Sequence, residues 1–164
     1  MKRIFSAMLA VLLTAILFCG CSSHTDAEGV KVELLDDNGN VTGYERRYHN
    51  SDGLLSRLDV YDADDNYDHY VLYEYDDDDR LTKESTYRAD GIGDFYYTYS
   101  YNDDGEVIEK GYYTAYEGAT VMLYDDDGNI TEVYSYDNGA NLYLHEVKED
   151  GEWHMYDGED NEIN

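Results

Sequence analysis

A tyrosine-rich pattern that recurs every 26 residues constrains the fold of this chain more than any other feature. The interval separates Gly53, Asp79 and Gly105. It also separates the members of two tyrosine columns, which are Tyr44, Tyr70 and Tyr96, and Tyr61, Tyr87 and Tyr113. A shorter fourth copy follows after 23 residues, with Tyr124 and Tyr136 repeating Tyr101 and Tyr113. Self-similarity at a fixed period in this range indicates a repeat architecture.

The repeating unit is predicted to be a β-hairpin, and residues 99–113, YSYNDDGEVIEKGYY, show it most clearly. Aromatic and β-branched residues at period two favour a pleated strand on each side of the polar centre. Asn and Asp bond their own backbone in turns, and Gly105 can take a positive φ without steric cost. The sequence therefore predicts a type I turn closed by a glycine bulge.

The rest of the chain predicts the same all-β fold. It contains no proline, and no sustained helical period follows residue 30. Most turn signals lie about 10 to 14 residues apart, which is typical of consecutive antiparallel strands. We therefore expect about eleven strands in residues 30–164, arranged as an antiparallel meander of repeated hairpins. This domain would form an open, twisted or curled single sheet, solenoid-like in its build.

The N-terminal residues 1–20 read as a signal peptide, with a basic start at Lys2 and Arg3 and an apolar run over residues 4–18. Gly20 before Cys21 resembles the lipobox of bacterial lipoproteins, although Phe18 stands where that family usually has Leu. The resemblance implies cleavage after residue 20, acylation of Cys21, and a bacterial membrane lipoprotein on the extracytoplasmic face. Residues 21–29 would be the lipidated cysteine and a polar tether. A plain secretory signal with two incidental cysteines is the alternative.

Charge excludes several classes of partner. The formal net charge is −27, and it becomes about −29 when cleavage removes Lys2 and Arg3. Phosphate binding requires basic patches, so nucleic acid is not an expected partner, and electrostatic attachment to anionic lipid is not expected either. Attachment to a membrane would depend on the lipid at Cys21. Weak, non-specific cation binding is expected from so many carboxylates.

Three copies carry a likeness to a known repeat. The first reads Tyr73-Glu74-Tyr75-Asp76, followed after three residues by Arg80-Leu81-Thr82. The others are Tyr99-Ser100-Tyr101 with Gly105, and Tyr124-Asp125 with Gly128, Asn129 and Ile130. These segments, within residues 44–142, resemble the YD repeat of rearrangement-hotspot and teneurin-type proteins, with Asn102 replacing Asp and Glu106 replacing Arg. The resemblance implies extended, curling β-sheets. In that family such sheets build hollow shells around a toxin, and this chain is too short to enclose a cargo.

The tyrosines suggest a candidate binding platform. Most of the 20 tyrosines are expected to form cross-strand ladders that stabilise the sheet. An exposed row of rings could also bind a glycan or a peptide, because a Tyr ring is apolar while its hydroxyl is polar. The candidate platform residues are Phe95, Tyr97, Tyr99, Tyr101 and Tyr113.

No metal, cofactor or catalytic residue is predicted. An EF-hand loop needs an acid five residues before its Gly and a Glu six after it. Around Gly128 those positions hold Leu123 and Tyr134, so turn chemistry is the favoured interpretation of the acidic turns. The histidines are scattered, and neither His-Glu-x-x-His nor a nucleophile elbow occurs. The leading hypothesis is a non-enzymatic binding or surface-interaction module. The alternatives are a secreted carbohydrate-active hydrolase with unidentified carboxylates and a purely structural surface spacer.

Overall fold

The computed structural model describes residues 29–163, so the predicted leader, Cys21 and most of the tether lie outside the described residues. The strands are β1 Val30–Leu35, β2 Val41–His49, β3 Leu55–Asp62, β4 Tyr67–Tyr75, β5 Leu81–Arg88, β6 Gly93–Tyr101, β7 Val107–Thr114, β8 Gly118–Tyr124, β9 Ile130–Tyr136, β10 Leu142–Glu149, β11 Glu152–Asp157 and β12 Glu162–Ile163. Within the described part of the chain, no helix is long and apolar enough to cross a bilayer.

The strands form one antiparallel meander in which every strand pairs only with its neighbours in sequence. The sheet is open, with β1 at one edge and β12 at the other. The predicted all-β fold of repeated hairpins in a single open sheet is therefore confirmed. The structure has twelve strands rather than about eleven, because the two-residue β12 follows a last turn that begins at Asp157.

Nine of the eleven turns between the described strands follow one geometry, which the β6–β7 hairpin illustrates. Gly105 N donates to Asn102 O at 3.1 Å, and Gly105 has φ 85°. The strand register shifts between Ser100 and Tyr101, which places a bulge beside the turn, as predicted. Asn102 Oδ1 also accepts the backbone N–H groups of Asp104 and Glu106, at 3.1 and 2.9 Å. Asp36, Asn50, Asp62, Asp76, Asp125, Asp137 and Asp157 repeat these two side-chain bonds.

In the described part of the chain the sheet is a single layer, with no second layer packed against either face. Among the described residues, the buried hydrophobic side chains are Tyr44, Val71 and Val121, and none is fully buried. The sheet therefore depends on contacts between side chains of neighbouring strands on its two faces. Each close aromatic or β-branched pair of this kind contributes roughly 0.2–1 kcal/mol.

We call one side of the sheet the ladder face; it carries Tyr44, Tyr61, Tyr70, Tyr87, Tyr96 and Tyr113. These residues stack as three cross-strand pairs, with ring centroids 4.6 to 4.8 Å apart and nearly parallel planes. The first ring of each pair is covered by a cation, and the three cations are Lys31, Arg57 and Lys83. The cations also recur every 26 residues, so the repeating unit of this face is a cation and two stacked rings.

Small or paired side chains make room for these rings. Asp59, Ser85 and Gly111 share one repeat position, and all three are buried. A Cβ atom on Gly111 would overlap the Tyr113 ring, which shows how closely that ring lies over the glycine. Asp59 is charged at this position and is paired with Arg57, whose Nε lies 2.6 Å from Asp59 Oδ1.

Tyrosine hydroxyls tie successive copies together. Tyr75 donates to the carbonyl of Leu55 at 2.9 Å, and Tyr101 donates to the carbonyl of Leu81 at 2.7 Å. Both bonds span 20 residues, so they join equivalent positions in consecutive copies. Each bond satisfies a carbonyl at the start of a strand and helps to set the spacing between hairpins.

Candidate binding surface

An aromatic cluster lies on the side of the sheet opposite the ladder face, which we call the cluster face. Period-two alternation in β6 places Phe95, Tyr97 and Tyr99 on it, and Tyr112 lies directly opposite Tyr97 in β7. The Tyr97 and Tyr112 ring centroids are 5.0 Å apart, and each ring lies 5.9 Å from that of Phe95. All four side chains are half-buried, so each ring has both a supported side and a solvent-accessible side.

The structure divides the predicted platform between the two faces. Tyr101 follows Tyr99 on the cluster face, where its hydroxyl is used by the bond to Leu81. Tyr113 lies on the ladder face, stacked on Tyr96 with ring centroids 4.6 Å apart, and is thus separated from the other four platform residues. The residue that completes the cluster is Tyr112, which the sequence reasoning missed.

Lys110 is a second residue that the sequence analysis did not single out. It lies opposite Tyr99, and its Nζ is 4.7 Å from the Tyr97 ring centroid and 5.5 Å from that of Tyr99. An ammonium group at this distance is attracted by the face of an aromatic ring. The cluster face therefore already holds one cation against two of its rings.

A groove continues the cluster toward the turns. It has a volume of about 430 Å³ and is lined by Tyr99, Glu106, Val107, Lys110, Tyr124 and the turn at residues 125–128. The groove runs between the β6–β7 and β8–β9 turns, so one aromatic side chain comes from each hairpin. Its walls combine ring surface with carboxylates, which suits a ligand that presents hydrogen-bond donors or positive charge.

Burial and charge raise the pKa of two tyrosine hydroxyls on this face. Burial raises the pKa of Tyr99, and the nearby Glu84 carboxylate raises it further. Burial and Glu84 together raise the pKa of Tyr73 to about 12. Glu84 lies between Tyr73 and Tyr97 on three adjacent strands.

The first carboxylate of each acidic turn is hydrogen-bonded within the turn. Asp125 Oδ1 accepts the N–H groups of Asp127 and Asn129 at 3.0 and 2.8 Å, and the Asn129 N–H lowers the pKa of Asp125. In the turn at residues 76–79, Arg80 contacts Asp76 and Asp78 at 2.8 and 3.3 Å. These contacts account for Asp125, Asp76 and Asp78 as parts of the turns.

The meander also brings together Glu132, Tyr134 and His145, which the sequence analysis left as scattered residues. His145 stacks on Tyr134 with ring centroids 4.2 Å apart, and its Nε2 lies 3.1 Å from Glu132 Oε2. The Tyr134 hydroxyl donates to the same carboxylate oxygen. This group continues the ladder face beyond the three tyrosine pairs and uses its polar atoms within the sheet.

Comparison with known proteins gives distant structural likenesses. No family model matches the chain, and no curated protein sequence matches it either. Similar solved structures include the Photorhabdus luminescens Tc holotoxin pore, with 14% identity, a TM-score of 0.35, and coverage of 81% of this chain and 9% of that one. A second is the TcdB2-TccC3-TEV crystal structure, with 15% identity, a TM-score of 0.33, and coverage of 71% and 9%. A Bacteroides fragilis protein of unknown function matches with 13% identity and a TM-score of 0.23, over 84% of this chain and 88% of its own. The chain thus spans 9% of the length of the two Tc toxin chains.

Proposed function

We propose that the chain is a membrane-anchored, extracytoplasmic lipoprotein whose β-repeat sheet is a non-enzymatic binding module. The observation that carries the proposal is the cluster face, where Phe95, Tyr97, Tyr99 and Tyr112 form a supported but accessible aromatic surface next to a groove. The ladder face has its own stacked pairs, and none of them includes these four rings. The cluster face is therefore available for a glycan or a peptide.

An array experiment tests the binding role. The soluble chain that starts at residue 24 is applied to glycan and peptide arrays, beside the variants Tyr97→Ala and Tyr112→Ala. We expect both variants to lose binding, because a stacked ligand depends on ring surface. Tyr143→Ala is the matched control, since Tyr143 is 57% exposed on β10, away from the cluster. Binding that Tyr143→Ala weakens as much as Tyr97→Ala would place the ligand elsewhere.

The same arrays distinguish the alternatives. A carbohydrate-active hydrolase would shorten glycans on the array, and Glu or Asp variants would abolish this cleavage. A structural spacer would bind nothing on either array. Retention of intact glycan or peptide that depends on Tyr97 supports the binding module.

The membrane anchor has its own test. In a bacterial host fed an alkyne-tagged fatty acid, the wild-type chain should become labelled and processed, whereas Cys21→Ala should remain an unlabelled precursor. Cys19→Ala is the matched control, because cleavage after residue 20 removes Cys19 with the leader. Normal labelling of Cys21→Ala would refute the lipoprotein assignment.

A further inference from the structure

One copy of the repeat contains a bound guanidinium group from its own chain. Arg80 lies with its Cζ 5.1 Å from the Tyr101 ring centroid, while its Nε and Nη2 contact the carboxylates of Asp76 and Asp78. Its Nη1 also donates to the carbonyl of Asn102 at 3.3 Å. Arg80 thus bridges its own turn to the ring and backbone at the start of the next turn.

The following copy keeps the ring and the turn, but Glu106 replaces Arg80 at the centre and Asn102 replaces the Asp76 carboxylate. Tyr124 repeats Tyr101 after 23 residues, and Glu106 repeats Arg80 after 26. The same two positions of the turn are hydrogen-bonded in both copies, but the donor and the acceptor are exchanged. Arg80 donates to Asp76, whereas Asn102 Nδ2 donates to Glu106 Oε2 at 3.0 Å. The groove of about 430 Å³ lies beside Glu106 and Tyr124, where the preceding copy has the side chain of Arg80.

The charge of the groove suits a cation. Its lining includes Glu106 and the three aspartates of residues 125–127, against one cation, Lys110. Lys110 lies over the rings of Tyr97 and Tyr99. The whole chain carries a formal charge of −27, so a positively charged partner is also attracted over a longer range.

We propose that this groove binds an arginine side chain of a partner peptide over the Tyr124 ring, as the preceding copy holds Arg80 over the Tyr101 ring. The proposal rests on the proposed binding function and specifies its ligand. A guanidinium group can lie over the Tyr124 ring while it donates to carboxylates on either side, a combination that planar, multidentate Arg provides better than Lys. The partner is therefore an arginine-containing, basic peptide segment rather than a neutral sugar.

The test uses the full chain, purified in a nonionic detergent, and fluorescence anisotropy. The probe is a fluorescein-labelled peptide of glycine, serine and two arginines. Matched peptides carry citrulline, which has the same shape without the charge, or lysine. We expect the citrulline peptide to bind about tenfold or more weakly and the lysine peptide to fall between the two.

Two variants connect the binding to the groove. Glu106→Arg restores the residue of the preceding copy, so we expect the chain's own guanidinium to fill the groove, weaken binding about tenfold or more, and leave the melting temperature unchanged or higher. Glu159→Arg makes the same charge change in the exposed turn between β11 and β12, away from the groove, and it should retain most of the affinity. Tyr124→Leu should weaken binding without the change in charge.

Each outcome separates this inference from the proposed function. Equal binding of the arginine and citrulline peptides, or equal losses in Glu106→Arg and Glu159→Arg, would overturn the arginine site. If a glycan or another peptide binds in a manner that depends on Tyr97 and not on Glu106, the binding module stands and the arginine site fails. If Glu106→Arg alone abolishes binding and also raises the melting temperature, both are supported.

Discussion

Substitution at Gly105 tests whether the turns share one backbone geometry. Gly105 has φ 85°, and a Cβ atom built on it would meet nothing within 4 Å. The cost of a side chain there is therefore conformational, about 1–2 kcal/mol for an ordinary residue in the left-handed region and more for a β-branched one. Gly105→Val should thus lose about 2 kcal/mol or more, whereas Gly105→Asn should lose less because Asn tolerates that region.

Asp79 occupies the equivalent position in the preceding copy, with φ 63°. Asp79→Gly relieves the strain of a non-glycine residue at positive φ. It also raises the conformational-entropy cost of folding by about 0.5–1 kcal/mol, because glycine is more flexible in the unfolded chain. The two terms nearly cancel, so we expect a change within about 0.5 kcal/mol. In a domain of this size 1 kcal/mol corresponds to roughly 3–5 °C, which gives a loss of about 6–10 °C for Gly105→Val and about 2 °C or less for Asp79→Gly.

Thermal unfolding followed by far-ultraviolet circular dichroism measures these shifts. Gly93→Ala is the matched control for Gly105→Ala, because Gly93 lacks a positive φ and its added Cβ would meet the Tyr87 ring at an ordinary 3.7 Å. Equal losses in Gly105→Val and Asp79→Gly would refute the shared geometry. The shared geometry would also be refuted if Gly93→Ala lowered the melting temperature as much as Gly105→Ala.

Three further predictions address the phenols, the charge and the packing. Because the pKa of Tyr73 is raised to about 12 by burial and then by Glu84, its stabilising effect is complete below about pH 10 and is lost as the pH rises through 12. Absorbance at 295 nm and circular dichroism should therefore report coupled ionisation and unfolding in that window, and ionisation of every tyrosine near pH 10 with the sheet intact would contradict this. Sodium and calcium at matched ionic strength should raise the melting temperature similarly, whereas a saturable response to micromolar calcium that is lost on mutation of residues 125–129 would reveal a specific site. Gly111→Ala should cost about 1–3 kcal/mol in urea unfolding because its Cβ overlaps the Tyr113 ring and the Thr98 hydroxyl, and the part of this cost due to the ring should disappear in a Tyr113→Ala background.

The fold was predictable because its causes are local. The turn at residues 102–105 depends on Asn102 and Gly105, and the strands beside it depend on period-two alternation; both are visible in one repeat. The last turn was missed because Asp160 supplies the positive φ there, where glycine occurs in several other copies. The Asp157 to Asn161 spacing, which repeats the Asp-x-x-x-Asn pattern of Asp125 and Asn129, was the available signal.

The candidate site was less predictable because it depends on register across the turns. Alternation within β6 correctly grouped Phe95, Tyr97 and Tyr99, but it cannot say which β7 residues share their face. That choice is set by the bulge beside Gly105, which pairs Tyr97 with Tyr112 and Tyr96 with Tyr113. The groove depends in addition on the approach of two separate turns.

The serial pairing of the strands has a mechanical consequence. A force that pulls on the two ends of the described chain acts on β1 and β12, and each of these strands is held by one neighbour only. Such a load breaks the hydrogen bonds of an edge strand a few at a time, instead of stretching many of them at once. Each released hairpin lengthens the chain while the remaining copies keep their stacked rings, so the sheet can extend stepwise under tension and rewind copy by copy when the tension falls.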